Sequence, residues 1–172
     1  MRQGVRLALD WGDARIGVAA CDADGALAYP AATIRAGVDE IEDLVGVVNE
    51  YEPIEVLVGL PISLGGGEGP AAAKARDRAV RLASAIDVPV RLVDERLTTV
   101  TASQRLSESG KRTKDQRKVI DAAAAATILE HALAFEQSQG KPPGELVSAP
   151  GGSVTDEPDL SGGSRQERPL QT

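Results

Sequence analysis

The sequence predicts an α/β domain built on a mixed five-stranded sheet with helices on both faces. Two observations lead to this prediction. Three strand-like segments joined by short turns come first, and strand-like and helical segments alternate after them. An antiparallel meander followed by βαβ units gives a mixed sheet, and right-handed crossovers place the later strands beside the first. The 172 residues are enough to bury the core of such a domain.

The meander is predicted from apolar residues in strand-like alternation. Its first strand is expected over Val5–Trp11 and its second over Ile16–Cys21, with turn residues at Gly12-Asp13-Ala14 between them. Asp24-Gly25 is a hairpin signal and precedes the third strand, at Leu27–Ile34. These connections are too short to contain a helix, so the three strands should be antiparallel neighbours.

The period of the apolar residues then becomes helical, from Val38 to Val48, and this helix ends near Glu52-Pro53. Two further strands are expected at Ile54–Val58 and Val90–Val93. Three further helices are predicted from Pro70 to near Pro89, from Thr98 to Ser107, and from about Asp115 to Phe135.

The composition changes at Gly140. Of the 33 residues from there to Thr172, 15 are Gly, Pro or Ser, and no hydrophobic period continues. Such a segment buries too little apolar surface to offset the entropy of ordering it. We therefore expect a domain over residues 1–139 and a disordered tail over residues 140–172.

The composition also excludes several classes of protein. Aromatic residues make up 2% of the chain, too few for a platform on which bases stack. One cysteine and one histidine exclude a disulfide framework and a His/Cys metal site, and Cys21 is expected in the core. No apolar run approaches the ~20 residues of a membrane span, and no signal peptide precedes the first strand. A cytoplasmic location is expected.

Three carboxylates are predicted to meet at one edge of the sheet. Asp10 lies at the end of the first strand and Glu95 just after the fifth, and sites in open α/β sheets form at these strand ends. Asp121 shares a helical face with the apolar residues 125, 128, 132 and 135. An all-oxygen site favours Mg²⁺ or Mn²⁺ and suits metal-assisted phosphodiester hydrolysis. Turn chemistry for Asp10 and a helix N-cap for Asp121 are the alternatives.

Basic residues are concentrated just before Asp121. The stretch Lys111–Lys118 holds five basic residues and one acidic residue. Cations at a helix start oppose its dipole, which phosphate binding would explain, and a solvated helix start is the alternative. Arg15 is expected at the same edge, or else as an ordinary surface arginine. The residues expected to contact nucleic acid are Arg15, Arg96, Lys111, Arg112, Lys114 and Arg117.

Four blocks between Val5 and Phe135 resemble the YqgF/RuvX-type family. They are Leu7–Gly12 with Arg15–Ala19, Val58–Pro61, Val93–Thr99 and Lys118–Ala125. The resemblance implies a ribonuclease-H-like fold, which the predicted order of elements also has. It further implies a nuclease with Asp10, Glu95 and Asp121 as its acidic triad and two Mg²⁺ or Mn²⁺ ions. The family usually follows Gly-Leu-Pro with Asn and then Asp-Gly, whereas this chain has Ile62–Gly66, so that loop's substrate contacts are not carried over.

We therefore expect a metal-dependent endonuclease acting on structured nucleic acid. Its substrate would be the 5′ end of the small-subunit ribosomal RNA precursor or a Holliday junction. Symmetric resolution of a junction needs two active sites and hence a homodimer. A non-catalytic nucleic-acid or ribosome-assembly module on the same fold is the alternative, and the presence of all three carboxylates favours the enzyme. No membrane partner is expected.

Overall fold

The structure is a computed structural model that describes residues 1–98 and 114–150. Its strands are β1 (Arg6–Trp11), β2 (Arg15–Cys21), β3 (Ala28–Arg35), β4 (Glu55–Leu60), β5 (Val90–Asp94) and β6 (Glu145–Leu146). Its α-helices are α1 (Glu40–Tyr51), α2 (Pro70–Ala85) and α3 (Lys114–Gln139), and a 3₁₀ helix spans Glu95–Thr98. The strands form one sheet in the order β3-β2-β1-β4-β5-β6.

The sheet has the mixed topology that the sequence predicts. β1 and β2 pair antiparallel, as do β2 and β3, so the meander is confirmed. β4 pairs parallel to β1 on its other side, and β5 pairs parallel to β4. The carboxyl ends of β1, β4 and β5 therefore lie along one edge, where Asp10 ↔ Gly17 and Leu60 ↔ Asp94 are register pairs.

Helices cover both faces of the sheet, as predicted. α1 and α2 pack on one face around a core that includes Leu7, Leu9 and Leu82. α3 packs on the other face, where the buried residues include Ala8 and Leu129. Successive β1 residues point to opposite faces, so Leu7 and Leu9 belong to one core and Ala8 to the other. Alanines on both α3 and the strands beneath it allow the helix to approach the sheet closely.

The sheet has six strands rather than the predicted five. The additional strand, β6, lies inside the segment predicted as a tail and pairs antiparallel with β5. Arg76 of α2 holds it through two hydrogen bonds from its Nη atoms to the Glu145 carboxylate, at 3.0 and 2.9 Å. A two-residue strand leaves no period in the sequence, so a pattern search passes over it. Disorder of residues 151–172, which lie outside the described residues, stays a prediction.

Three other predictions concern the burial of Cys21, the helix that was expected to begin at Thr98, and membrane-spanning segments. Cys21 is fully buried, as expected. The helix predicted from Thr98 to Ser107 falls almost entirely outside the described residues, and its first residue belongs to the 3₁₀ helix. Across residues 1–98 and 114–150, no helix has the length and apolar character needed to cross a membrane.

Candidate active site

Two acidic side chains share a cleft at the carboxyl edge of the parallel strands. Asp10 is near the end of β1, and Glu95 is the first residue of the 3₁₀ helix that follows β5. Both line a cleft of about 450 Å³. This is the juxtaposition that the strand order predicts, because β4 alone separates β1 from β5.

The surroundings of both groups disfavour their negative charge. Burial, with a smaller contribution from the charge of Asp121, raises the pKa of Asp10 to about 6. Burial, followed by the charges of Asp10 and Asp94, raises the pKa of Glu95 to about 7. In the part of the chain that the structure describes, Asp10 forms no ion pair with a basic side chain. Partly desolvated carboxylates that repel one another are stabilised by a bound cation.

Gly59 of β4 makes room for the Glu95 side chain. A Cβ atom at position 59 would overlap the Glu95 carboxylate, so Glu95 lies directly on the β4 backbone. Only glycine allows this approach. Sequence reasoning did not assign a role to this glycine, although its position inside a buried strand is the usual sign of a close approach.

Gly17 of β2 brings Asp121 to the same place. A Cβ atom at position 17 would overlap the Asp121 carbonyl, so α3 rests on β2 at this point. Gly17 is the register partner of Asp10, which sets the backbone of Asp121 beside that carboxylate. Because α3 begins at Lys114, Asp121 lies well inside the helix and is not an N-cap. Of the apolar residues predicted to share a helical face with Asp121, Ala125, Ile128 and Ala132 are buried.

Arg15 holds the Asp121 carboxylate. Its Nε donates a hydrogen bond to Asp121 Oδ2 at 2.6 Å, and each side chain is 28% exposed. Arg15 thus lies at the predicted edge, bound to an acidic residue of the site. Residues 1–98 and 114–150 contain no group of three His, Cys, Asp or Glu side chains arranged to hold a metal ion. The three predicted acidic residues therefore lie as an Asp10–Glu95 pair with Asp121 held to one side by Arg15.

The Asp10–Glu95 pair fits a hard divalent cation. Mg²⁺ is usually bound by one or two carboxylates, with waters and substrate phosphates completing its shell. The donors here are carboxylate oxygens, and their mutual repulsion is relieved by positive charge. The hydrogen bond from Arg15 occupies Oδ2 of Asp121, so that oxygen is not available to a metal ion while the bond lasts.

Two basic residues of α2 also line the cleft. Lys74 of α2 lines the cleft, is half-exposed, and donates from Nζ to Asp13 Oδ1 at 2.5 Å. Arg78, one turn further along, donates from Nη1 to the Trp11 carbonyl at 3.1 Å and lies 5.6 Å from the centre of the Trp11 ring. Sequence reasoning missed both residues. Their spacing of four, at the start of a helix that follows β4, is the signal that could have identified them.

The other basic residues predicted to contact nucleic acid are spread around the site. Arg96 is bound to Asp94, donating from Nη2 at 2.6 Å and from Nε at 2.9 Å. Lys114 and Arg117 lie exposed at the beginning of α3, the helix that carries Asp121. Lys111 and Arg112 lie outside the described residues.

The chain was compared with family models, with curated proteins and with solved structures. The family model described as "RuvX: Holliday junction resolvase" matches residues 4–135, which include Asp10, Glu95 and Asp121. A Streptomyces coelicolor protein named "Putative pre-16S rRNA nuclease" is 60% identical over 150 residues, 86% of this chain and 90% of the relative. A Thermobifida fusca protein of the same name is 52% identical over 155 residues, 86% of this chain and 98% of the relative. A solved structure, "T. thermophilus RuvC in complex with Holliday junction substrate", aligns with a TM-score of 0.49 and 16% identity over 83% of this chain and 99% of that chain.

Proposed function

Because the chain belongs to the RuvX family and is a nuclease, we propose that it is a divalent-metal-dependent endonuclease acting on structured RNA. The substrate we favour is the precursor of 16S ribosomal RNA, after the name shared by relatives that are 60% and 52% identical. This substrate would place the protein in the cytoplasm. The observation that carries the proposal is the half-buried Asp10–Glu95 pair, which lines one cleft together with Lys74.

Asp10 and Glu95 would hold Mg²⁺ or Mn²⁺ in this cleft, and Asp121 would extend the set to two ions. When bound, the metal supplies Lewis-acid stabilisation of the phosphate and activation of water. The partial burial that raises the pKa of both carboxyl groups also reduces their contact with bulk water. Glu95 is fixed in direction because it rests on the Gly59 backbone.

The remaining basic side chains would orient the nucleic-acid backbone. Lys74 is exposed enough to exchange its bond to Asp13 for one to a phosphate, whereas Arg78 is held under the cleft by Trp11. Lys114 and Arg117 would contact phosphates that lie along the start of α3. Arg96, Lys111 and Arg112 are proposed to extend these contacts. Such phosphate contacts fix the position of a strand and carry no sequence information.

The proposal is tested by cleavage of an RNA fragment that contains the 5′ leader and start of 16S rRNA. The wild type, Asp10→Asn and Asp24→Asn are compared with Mn²⁺ and with a chelator. Asp24 is an exposed hairpin residue, so Asp24→Asn makes the same chemical change away from the cleft. We expect metal-dependent cutting by the wild type and Asp24→Asn, and a loss of at least ~100-fold in Asp10→Asn, since even outer-shell partners of a metal are worth 10–100-fold. Tight binding without metal-dependent cutting would favour the non-catalytic module instead.

Resolution of Holliday junctions is the second candidate, and the description of the matching family favours it. Symmetric resolution requires two active sites, so this function predicts a homodimer. A four-way DNA junction is therefore included in the same experiment, with sedimentation velocity of the protein. Paired symmetric nicks by a dimer, with no cutting of the RNA, would select this second function.

A further inference from the structure

The Arg15–Asp121 ion pair engages one of the three carboxylates that are proposed to bind the cation. It joins the start of β2 to the middle of α3, and both side chains are more than two-thirds buried. A bond of 2.6 Å between charged groups is at the short end of the range for such bonds. While it lasts, Asp121 already has a positive neighbour, whereas Asp10 forms no ion pair within residues 1–98 and 114–150.

A divalent ion in the cleft would compete with Arg15 for the same carboxylate. An ion at the Asp10–Glu95 pair and a guanidinium on Asp121 repel one another, because the Asp121 backbone lies against Gly17, the register partner of Asp10. The hydrogen bond from the guanidinium to Asp121 can break while the Arg15 backbone stays in place. Arg15 is at the first position of β2, and its carbonyl accepts a hydrogen bond from the Gly12 amide at 2.9 Å, which anchors the backbone at the hairpin beside the cleft.

The geometry points to Arg15 as an exchangeable cation: it neutralises Asp121 in the metal-free protein and transfers to a backbone phosphate of the nucleic acid when metal takes Asp121. This inference rests on the proposed function. It makes metal binding and nucleic-acid binding reinforce each other, because each ligand removes a competitor of the other, and such coupling is reciprocal. Arg15 is thus a positioning residue whose partner depends on what the site holds.

The first test measures Mn²⁺ binding by calorimetry without nucleic acid. Arg15→Gln removes the competing cation, and we expect it to bind Mn²⁺ about 10-fold more tightly than the wild type. Arg15→Lys keeps the charge and should stay near the wild type. Arg35→Gln is the matched control, because Arg35 is the exposed register partner of Arg15 and its loss makes the same change in net charge. Thermal unfolding of each variant checks that it is folded.

The outcomes separate this inference from the function on which it rests. Weaker Mn²⁺ binding by Arg15→Gln would mean that Arg15 orients Asp121 for the metal, which overturns the exchange. Equal binding by Arg15→Gln and Arg35→Gln also overturns it, and leaves the metal-dependent nuclease intact if Asp10→Asn has lost binding. No Mn²⁺ binding by any variant overturns both.

The second test observes the guanidinium and its transfer. Titration with Mg²⁺ should shift the ¹⁵N–¹H signal of Arg15 Nε, identified by its absence in Arg15→Gln, because the bond to Asp121 is lost. Fluorescence anisotropy then measures the affinity for labelled RNA with and without Ca²⁺, which serves as an oxygen-binding probe ion. The gain in affinity on adding Ca²⁺ should be at least fivefold smaller in Arg15→Gln than in Arg35→Gln. An Arg15 signal unmoved by Mg²⁺, or an equal Ca²⁺ effect in both variants, would contradict the exchange.

Discussion

Replacing Gly17 with alanine tests whether the close approach of α3 builds the site. The added Cβ would overlap the carbonyl and carbonyl carbon of Asp121 and come within 2.9 Å of the Ala122 nitrogen. All of these are backbone atoms of a long helix, so the whole helix has to shift. Overpacking typically costs about 1–3 kcal/mol, and contact with rigid backbone argues for the upper end. At about 2–4 °C per kcal/mol for a chain of this size, ~3 kcal/mol lowers Tm by about 6–12 °C.

The assay is thermal unfolding followed by circular dichroism, together with metal-dependent cleavage at a temperature where the variant is folded. Gly46→Ala is the control, because Gly46 lies inside α1 and an added Cβ there meets nothing within 4 Å. It should raise stability by about 0.5–1 kcal/mol, as alanine generally does in a helix. If Gly17→Ala melts within a degree of the wild type and cuts at the same rate, α3 does not rest on β2 as described, and the argument that places Asp121 beside Asp10 fails.

Three further predictions concern other parts of the molecule. Gly59→Ala should reduce cleavage at least 10-fold and change Tm by under about 3 °C, since its Cβ displaces only the Glu95 side chain, and a large fall in Tm would contradict this. Lys74→Met should weaken RNA binding and lower the slope of log affinity against log salt by about 1; an unaltered slope would exclude a phosphate contact. Hydrogen bonding to Arg2 lowers the pKa of Glu136 from 4.5 to about 2, so its contribution to stability is present above pH ~4.5 and is lost as the pH falls toward 2. Glu136→Gln should therefore be less stable than the wild type at pH 7, by about 3–5 kcal/mol, and the difference measured by urea unfolding should shrink in acid.

The strands and the faces of the helices could be predicted because they leave periods in the sequence. Asp10 and Glu95 were located by their position at strand ends, and Asp121 by the apolar line that it begins on α3. These signals are local, and the right-handed crossover rule then brings the strand ends to one edge.

The ion pairs could not be predicted, because their partners are far apart in the chain. Arg15 and Asp121 are 106 positions apart, and the sequence gives no reason to choose Asp121 over a phosphate as the partner of this arginine. Lys74 was missed for a related reason, since its meaning depends on where α2 begins relative to β1. Both are consequences of tertiary packing, which decides pairing after the elements have formed.

The two ends of β1 place carboxylates in opposite electrostatic surroundings, and this contrast supports a cation-binding site at one of them. At the edge where β1 begins, Glu136 is almost fully buried and receives hydrogen bonds from Arg2 and Arg6, and its pKa is lowered. At the edge where β1 ends, Asp10 is half-buried beside other acidic groups and its pKa is raised. Asp10 is four residues beyond Arg6 on β1, so about 13 Å of strand separates the two environments. Within residues 1–98 and 114–150 the fold supplies two arginines to Glu136 and no ion pair to Asp10, so a bound cation would complete the charge of Asp10.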